Sequence, residues 1–314
     1  SLRWSDLGLL LVYGLCRVLP VAWVSAFGAW RGRYRGAKRV ELEQRARQNL
    51  VEIAKDADPA VVIPMLRAAS GRALLEVLIA DRLAMSGRLR VENHPALEGA
   101  IASNRSVVFA LIHQANLGDV AGAAIGQAFP TVKQRFIVTR HLQNPVMRWM
   151  VARTRHRSMQ GMAGVISGPM QGLARDMLKG LTQEAPSLAL LHVDEARHHQ
   201  VHFPGFGADL PTKGINATHA IRLARRAGAV LVPVLLSRDK SCPTRFTLNV
   251  LSVWDMAADA RANEAVCHEM SQLFEQEIVN DPAAWLNLYH RRPSAMRDMS
   301  HLSESETFES TSNQ

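Results

Sequence analysis

The apolar run from Ser106 to Ile112, bracketed by Asn104-Arg105 and His113, constrains the fold more than any other segment. It is short and has no alternating polar face. That pattern fits a strand buried on both sides, which occurs in sheets whose two faces are covered by helices. Similar runs recur at 188–193 and 229–236, with shorter candidates at 88–91 and 135–139 and an alternating one at 244–253. Helical patterns separate them: 119–129, closed by Pro130; 144–153, opening near Pro145; 217–226, ended by Gly228; and 262–279. This alternation predicts an α/β fold with a central, mostly parallel sheet flanked by helices.

Before the first strand the chain reads as helical. Val40, Leu42, Ala46, Leu50 and Ile53 fall near helical spacing, and 73–83 suits a further helix carrying Glu76. Leu7 to Trp30 is apolar apart from Arg17. One continuous helix there would reach roughly 36 Å, enough to cross a hydrocarbon core of about 30 Å. Arg17 at mid-span would cost about 2.5–3.5 kcal/mol, and Pro20 would kink such a helix. Two shorter amphipathic pieces lying in the interface are the alternative to a span. A buried core helix, or a cleaved signal peptide ending near Val24-Ser25-Ala26, are further readings. Arg31, Arg33, Arg35, Lys38 and Arg39 follow, a basic cluster suited to an anionic cytoplasmic leaflet. The organisation expected is an N-terminal membrane-binding helical segment over 1–39, an α/β domain over 40–292 and a disordered polar tail over 293–314.

The net charge is +9, and 31 of the 37 basic side chains are arginine. Arginine forks onto phosphates and carboxylates as lysine cannot. An anionic partner is therefore expected: membrane lipids or an acidic carrier protein. Nucleic acid is disfavoured, because aromatics are only 6% and no binding motif occurs. Cys16, Cys242 and Cys267 are scattered without a CxxC pair, against a disulfide scaffold or a zinc site. Walker A, GxGxxG, HExxH and GxSxG patterns are absent. His198 and His199 beside Asp194 and Glu195 are conceivable metal ligands, but no metal is expected.

His113 closes the most apolar strand, and Gln-Ala-Asn-Leu-Gly separates it from Asp119. Ligand sites in α/β sheets lie at the carboxyl ends of strands. A histidine there with a carboxylate nearby has the makeup of a general base and its orienting partner. On one helix the two would lie about 240° apart, so pairing requires the loop that Asn116 and Gly118 favour. The plain alternative is that Asp119 caps its helix and His113 is a satisfied strand-end histidine.

Taken in order, the segments resemble the lysophospholipid acyltransferase superfamily, and within it the bacterial late acyltransferases of lipid A, the lauroyl and myristoyl type. The resemblance runs to about Arg292. It rests on Ala46-Arg47-Gln48-Asn49-Leu50, on the strand ending in His113, and on Arg140-His141-Leu142-Gln143-Asn144-Pro145. It continues through Leu191-His192-Val193-Asp194, Phe203-Pro204-Gly205-Phe206-Gly207, and Ala224 to Ala229 with Val232-Pro233. Trp285, His290, Arg291 and Arg292 complete it. The family pattern has four positions between its histidine and the following acidic residue, whereas five separate His113 from Asp119.

The resemblance implies transfer of a fatty acyl group from a thioester, on acyl carrier protein or CoA, to a hydroxyl of a lipid, with no other cofactor. His113 is then the base and Asp119 its partner. Asn116, Arg140, Asp194, Phe203, Gly205, Phe206 and Gly207 are the substrate-binding candidates. Arg140 is expected to hold an anionic headgroup or the donor phosphopantetheine. Amides near Gly205–Gly207 or Asn116 would receive the oxyanion, and Asp194 and Glu195 would orient an arginine. Arg153, Arg155 and Arg157 would meet an acidic carrier protein or the membrane. The acceptor implied is a lipid A precursor, with a lyso-aminolipid as the alternative, at the cytoplasmic face of a bacterial inner membrane. A non-catalytic membrane adaptor is the reading from another class; it would need the N-terminal pattern but not His113.

Overall fold

The computed structural model describes residues 4–36, 40–92, 94–132, 134–138, 142–158, 164–166, 170–195, 201–207, 210 and 215–291. The expected tail over 293–314 lies outside them, as do Arg140, His198 and His199.

Helices α1 (Trp4–Val18) and α2 (Val21–Gly36) open the chain. Pro20 separates them: it has no N–H to continue α1, and its carbonyl accepts from the Trp23 and Val24 amides to start α2. Among the described residues no helix is long and apolar enough to cross a membrane. The single span gives way to two shorter helices. Arg17, the charge that opposed a span, pairs with the buried Asp81 at 2.6 Å.

Helices α3 (Val40–Ile53), α4 (Pro59–Glu76) and α5 (Ala80–Met85) follow. Asp58 caps α4 by accepting from the Ala60 amide. The helix expected over 73–83 is instead the end of α4, a 3₁₀ turn over Val77–Ile79 and α5. Helix α2 crosses α4 at backbone contact, because Gly28, Gly32 and Gly71 face one another and a Cβ on any of them would collide with the opposite chain.

The α/β part comprises β1 (Leu89–Val91), α6 (Pro95–Ala102), β2 (Val107–Leu111), α7 (Asp119–Ala128), β3 (Gln134–Val138), α8 (Pro145–Ser158), β4 (Gly164–Ile166), α9 (Met170–Leu181) and β5 (Ser187–His192). It ends with α10 (Asn216–Ala227), β6 (Val230–Arg238), β7 (Phe246–Val250), β8 (Trp254–Asp255) and α11 (Asn263–Asn280). The strand order is β1-β7-β6-β2-β5-β3-β4, with β8 also on β6. Pairing is parallel except at β6–β7 and β6–β8.

Strand β2 lies at the centre with every residue buried. Its side chains alternate between two cores: Val108 and Ala110 pack with α3, α4, α10 and α11, while Val107, Phe109 and Leu111 pack with α5, α7 and α8. Each fully buried Val, Leu or Phe contributes about 1.5–3 kcal/mol, so the central strand is fixed by its own composition. The loops beyond its carboxyl end are what it positions.

Candidate active site

Strands β2 and β5 are parallel neighbours in a register that sets Leu111 opposite His192. Two residues beyond that pair stand His113 and Asp194. The Val193 amide still donates to Leu111 O at 2.9 Å, so the register continues past the formal strand ends. The histidine and the carboxylate, 81 positions apart, are therefore brought side by side by the sheet.

His113 Nδ1 lies 2.7 Å from Asp194 Oδ1, and the His113 amide donates to both oxygens of the same carboxylate at 3.0 and 3.1 Å. Asp194 is fully buried. It also accepts from Trp285 Nε1 at 2.9 Å and from Asn287 Nδ2 at 3.0 Å. Asn287 Nδ2 further donates to the Asp194 carbonyl at 2.7 Å, which uses both of its hydrogens on Asp194. Its 3.2 Å approach to His113 Nδ1 thus leaves the Nδ1–H directed at the carboxylate. Trp285 and Asn287 are held in turn by the loop they serve: Gln114 bridges to Trp285, and the Leu286 amide donates to His113 O at 2.8 Å.

This arrangement fixes the charges. Burial pushes the His113 imidazole down, but the Asp194 charge, its hydrogen bond and Glu195 outweigh that and hold it above the ordinary histidine range. Burial pushes Asp194 up, and His113, His192 and the Trp285 hydrogen bond bring it below the ordinary carboxylate range. With Nδ1–H on Asp194, Nε2 is left as the acceptor, the nitrogen that a general base needs.

A second imidazole belongs to the site. His192 stacks on His113, with ring centroids 4.1 Å apart and planes 21° apart. Burial and the neighbouring His113 charge hold it well below the ordinary range, so it stays neutral. Its ring occupies the space over Gly118, where a Cβ would collide with it, and Gly118 itself has a φ of 96°.

The expected His113–Asp119 pair does not form. Asp119 is buried at the first turn of α7 and accepts from Arg155 Nε at 2.5 Å, a residue of α8. Five intervening positions carry the chain around the Ala115–Gly118 turn and leave the carboxylate on the helix, facing α8 rather than the imidazole. Asp194 takes the place expected of Asp119, and orients His113 rather than an arginine.

The other expected site residues are placed as follows. Asn116 is buried and donates to Glu76 at 3.1 Å while accepting from the Val120 amide, so its side chain is committed to the protein. The Gly205 amide donates to Ser271 Oγ at 2.9 Å and the Phe206 amide to Glu275 Oε1 at 2.8 Å, both on α11. Those two amides are already paired within the protein. Phe203 is buried against Phe274, and the Phe206 ring lies against Trp285 at 5.8 Å, so this segment backs the tryptophan that holds Asp194. Gly207 ends the segment with a φ of 78°. Arg155 is taken by Asp119, whereas Arg153 and Arg157 are exposed on α8.

A cavity of about 370 Å³ adjoins the site. Leu117 and Asn287 border it at the His113 end, and Arg31, Leu42, Arg67 and Leu74 line it between α2, α3 and α4.

The profile of the bacterial lipid A biosynthesis acyltransferase family matches residues 3–292. The chain belongs to that family. No curated protein matches it. Membership makes the chain an acyltransferase of lipid biosynthesis. The position that follows four intervening residues after His113 is Gly118, so the imidazole of His192 stands where an acidic side chain of the family pattern would project.

Sequence reasoning missed the roles of His192 and Asn287, and saw Trp285 only through the resemblance. The available signal was the matched ends of two largely apolar strands, each with a polar residue two positions beyond.

Proposed function

We propose that this chain moves a fatty acyl group from a thioester donor to a hydroxyl of a lipid, with His113 as general base and Asp194 as the carboxylate that orients it. The observation that carries this reading is the 2.7 Å contact between His113 Nδ1 and a fully buried Asp194 at the carboxyl ends of adjacent strands. An alcohol is a poor nucleophile at neutral pH. His113 Nε2 takes its proton as the oxygen attacks the thioester carbonyl, and Asp194 stabilises the imidazolium that forms; such a base contributes typically about 10²–10⁴-fold. Collapse of the tetrahedral intermediate breaks the C–S bond, and the proton on His113 passes to the departing thiolate. With the Gly205 and Phe206 amides occupied, the candidates for the oxyanion are the Leu117 and Gly118 amides, which donate to nothing among the described residues.

The donor in this reading is acyl carrier protein or CoA. Exposed Arg148, Arg153 and Arg157 on α8 suit the acidic surface of a carrier. The acceptor is a lipid A precursor, on the strength of the family. The cavity between α2, α3 and α4 would admit it, with Arg31 and Arg67 beside apolar Leu42 and Leu74.

The reading also puts the chain on a membrane surface. Leu11 and Val18 of α1 and Trp23, Phe27, Trp30 and Tyr34 of α2 are exposed, with Trp23 at 66% and Trp30 at 58%. Phe27, Trp30 and Tyr34 stack along one helix face at 5.5 and 6.2 Å, and Arg33 is exposed beside them. An apolar, aromatic face with basic neighbours suits the interface of an anionic bilayer, at the cytoplasmic side of an inner membrane. The test is mass spectrometry of lipids from cells with and without the protein. An under-acylated lipid A species restored by the wild type but not by His113→Ala supports the reading. A lyso-aminolipid would replace the acceptor, and an unchanged lipid profile would point to a non-catalytic adaptor.

A further inference from the structure

Glu76 closes α4 with no exposed surface, and it is not part of the dyad. Arg238, the last residue of β6, grips it with two hydrogen bonds of 2.7 Å, one to each oxygen. Ser25 Oγ of α2 donates to Oε1 at 2.8 Å, and Arg72 Nη1 donates to the same hydroxyl at 2.7 Å. Asn116 Nδ2 donates to Oε2 at 3.1 Å. The second nitrogen of Arg238 also donates to Ala115 O at 2.8 Å, its other nitrogen reaches Pro243 O, and its guanidinium lies 4.4 Å over the Phe246 ring. One buried ion pair thus holds both residues of the turn that follows His113-Gln114.

That turn is strained. Ala115 has a φ of 60°, a left-handed conformation that a residue with a Cβ adopts at a cost of order 1–3 kcal/mol unless its surroundings enforce it. The enforcement is visible on both sides: the Ala115 amide donates to Ala284 O at 2.8 Å, and the carbonyl accepts from Arg238. The left-handed residue turns the chain beyond β2, ahead of Gly118, which lies against His192, and of the Leu117 and Gly118 amides, which donate to nothing among the described residues. The same carboxylate ties in Ser25, on the inner side of the helix whose outer side carries the exposed aromatic rings.

We infer that Glu76 and Arg238 are positioning residues for acyl transfer: their buried ion pair holds the Ala115–Asn116 turn in the geometry that presents His113 and the turn amides. Neither touches the reacting atoms. The inference rests on the acyl-transfer reading for its effect on rate, but not for its effect on the turn.

The experiment uses Glu76→Gln/Arg238→Gln, which removes the ion pair without stranding one buried charge. Hydrogen exchange is followed in the segments 113–120 and 107–111. Transfer is followed from radiolabelled acyl–acyl carrier protein to vesicles of total lipid extracted from cells lacking the protein. Exchange in 114–118 is expected to rise about tenfold or more while β2 stays protected. The maximal rate is expected to fall about 10²-fold with KM little changed, as for a misplaced catalytic group. Its pH profile stays in place because Asp194 is intact. Adding Ala115→Gly to the double variant is expected to restore part of the rate, since glycine takes the left-handed geometry unaided; a role in core stability alone gives no such rescue. Unchanged exchange in 114–118, an unchanged rate, or a lowered rate without glycine rescue each overturns the inference. Should the double variant fail to fold, Asn116→Ala removes the bond from the turn to Glu76, together with the longer one from the Val120 amide, and must loosen the same amides. A wild type that transfers nothing counts against the proposed reaction, and the exchange arm still decides the clamp.

Discussion

Replacing Asp194 by Asn tests the dyad with almost no change of shape. In the folded protein the carboxylate receives four donors: His113 Nδ1, the His113 amide, Trp285 Nε1 and Asn287 Nδ2. An amide offers one oxygen and brings two hydrogens of its own, so at least one of those donors meets an N–H. Leaving one or two buried donors unpaired costs about 1–3 kcal/mol each, and thermal unfolding should show a loss in that range. The kinetic loss is larger and has a different origin. With an NH₂ facing Nδ1, His113 takes the opposite tautomer and Nε2 carries the proton, so it cannot accept one from the hydroxyl. The same exchange in the Ser-His-Asp triad lowers kcat by about 10⁴, and a loss of that order is expected here. The pH profile separates tautomer from charge. In the wild type the rate rises with pH as His113 loses its proton, above the ordinary histidine range because Asp194 outweighs burial. Without that charge burial prevails and the acid limb moves to lower pH, so His113 is neutral at pH 7 and the rate is still low. The assay is single-turnover transfer from acyl–acyl carrier protein across pH 5 to 9. A plateau within about threefold of the wild type would refute the orienting role of Asp194.

Three further outcomes follow from the same geometry. Asp119→Asn is expected to keep the pH profile and most of the rate while lowering stability by about 1–3 kcal/mol through the buried Arg155 pair; a profile shifted as in Asp194→Asn would return Asp119 to the base. Gly118→Ala puts a Cβ into the His192 ring at a φ of 96°, so transfer should fall by at least about tenfold, and wild-type turnover would show that the His192–His113 stack is not needed. His192 is held well below its ordinary value, so between that folded value and about 6.5 the unfolded chain binds the extra proton and stability falls as pH falls, by up to about 1.4 kcal/mol per unit. Chemical denaturation of His192→Phe from pH 7 to 5 should lack this component; a slope equal to the wild type's would contradict it.

Much of the fold was legible because the central strands announce themselves. Strands β2, β5 and β6 are short apolar runs with polar brackets, and β7 shows the alternation of a half-covered strand. Strands β4 and β8, three and two residues long, carry no period to read. The N-terminal apolar stretch divided at Pro20 as its backbone chemistry requires, and Arg17 found a buried acid from α5 that no local pattern predicts. His113 was legible as a polar residue ending a buried strand. Its partner was not, because the nearest carboxylate in sequence was Asp119, whereas the sheet order places β5 beside β2 and brings Asp194 across 81 positions. Arg155, which occupies Asp119, comes from α8, and Asn287 from a 3₁₀ turn near the end of the chain. Asn116 and the Gly205–Phe206 amides were suitable by residue type, yet their hydrogen-bonding capacity is consumed by Glu76, Ser271 and Glu275. Which polar groups stay free is a property of packing, and packing is what residue types in order do not reveal.

The most direct test of the central claim is the rate at which purified wild-type and His113→Ala proteins move a labelled acyl group from acyl–acyl carrier protein into lipid A precursor vesicles. The dyad predicts transfer by the wild type and a loss of about 10²–10⁴-fold in a variant whose unfolding temperature is nearly unchanged. Equal rates for the two proteins would contradict His113 as the base, and no transfer by either would contradict the reaction itself.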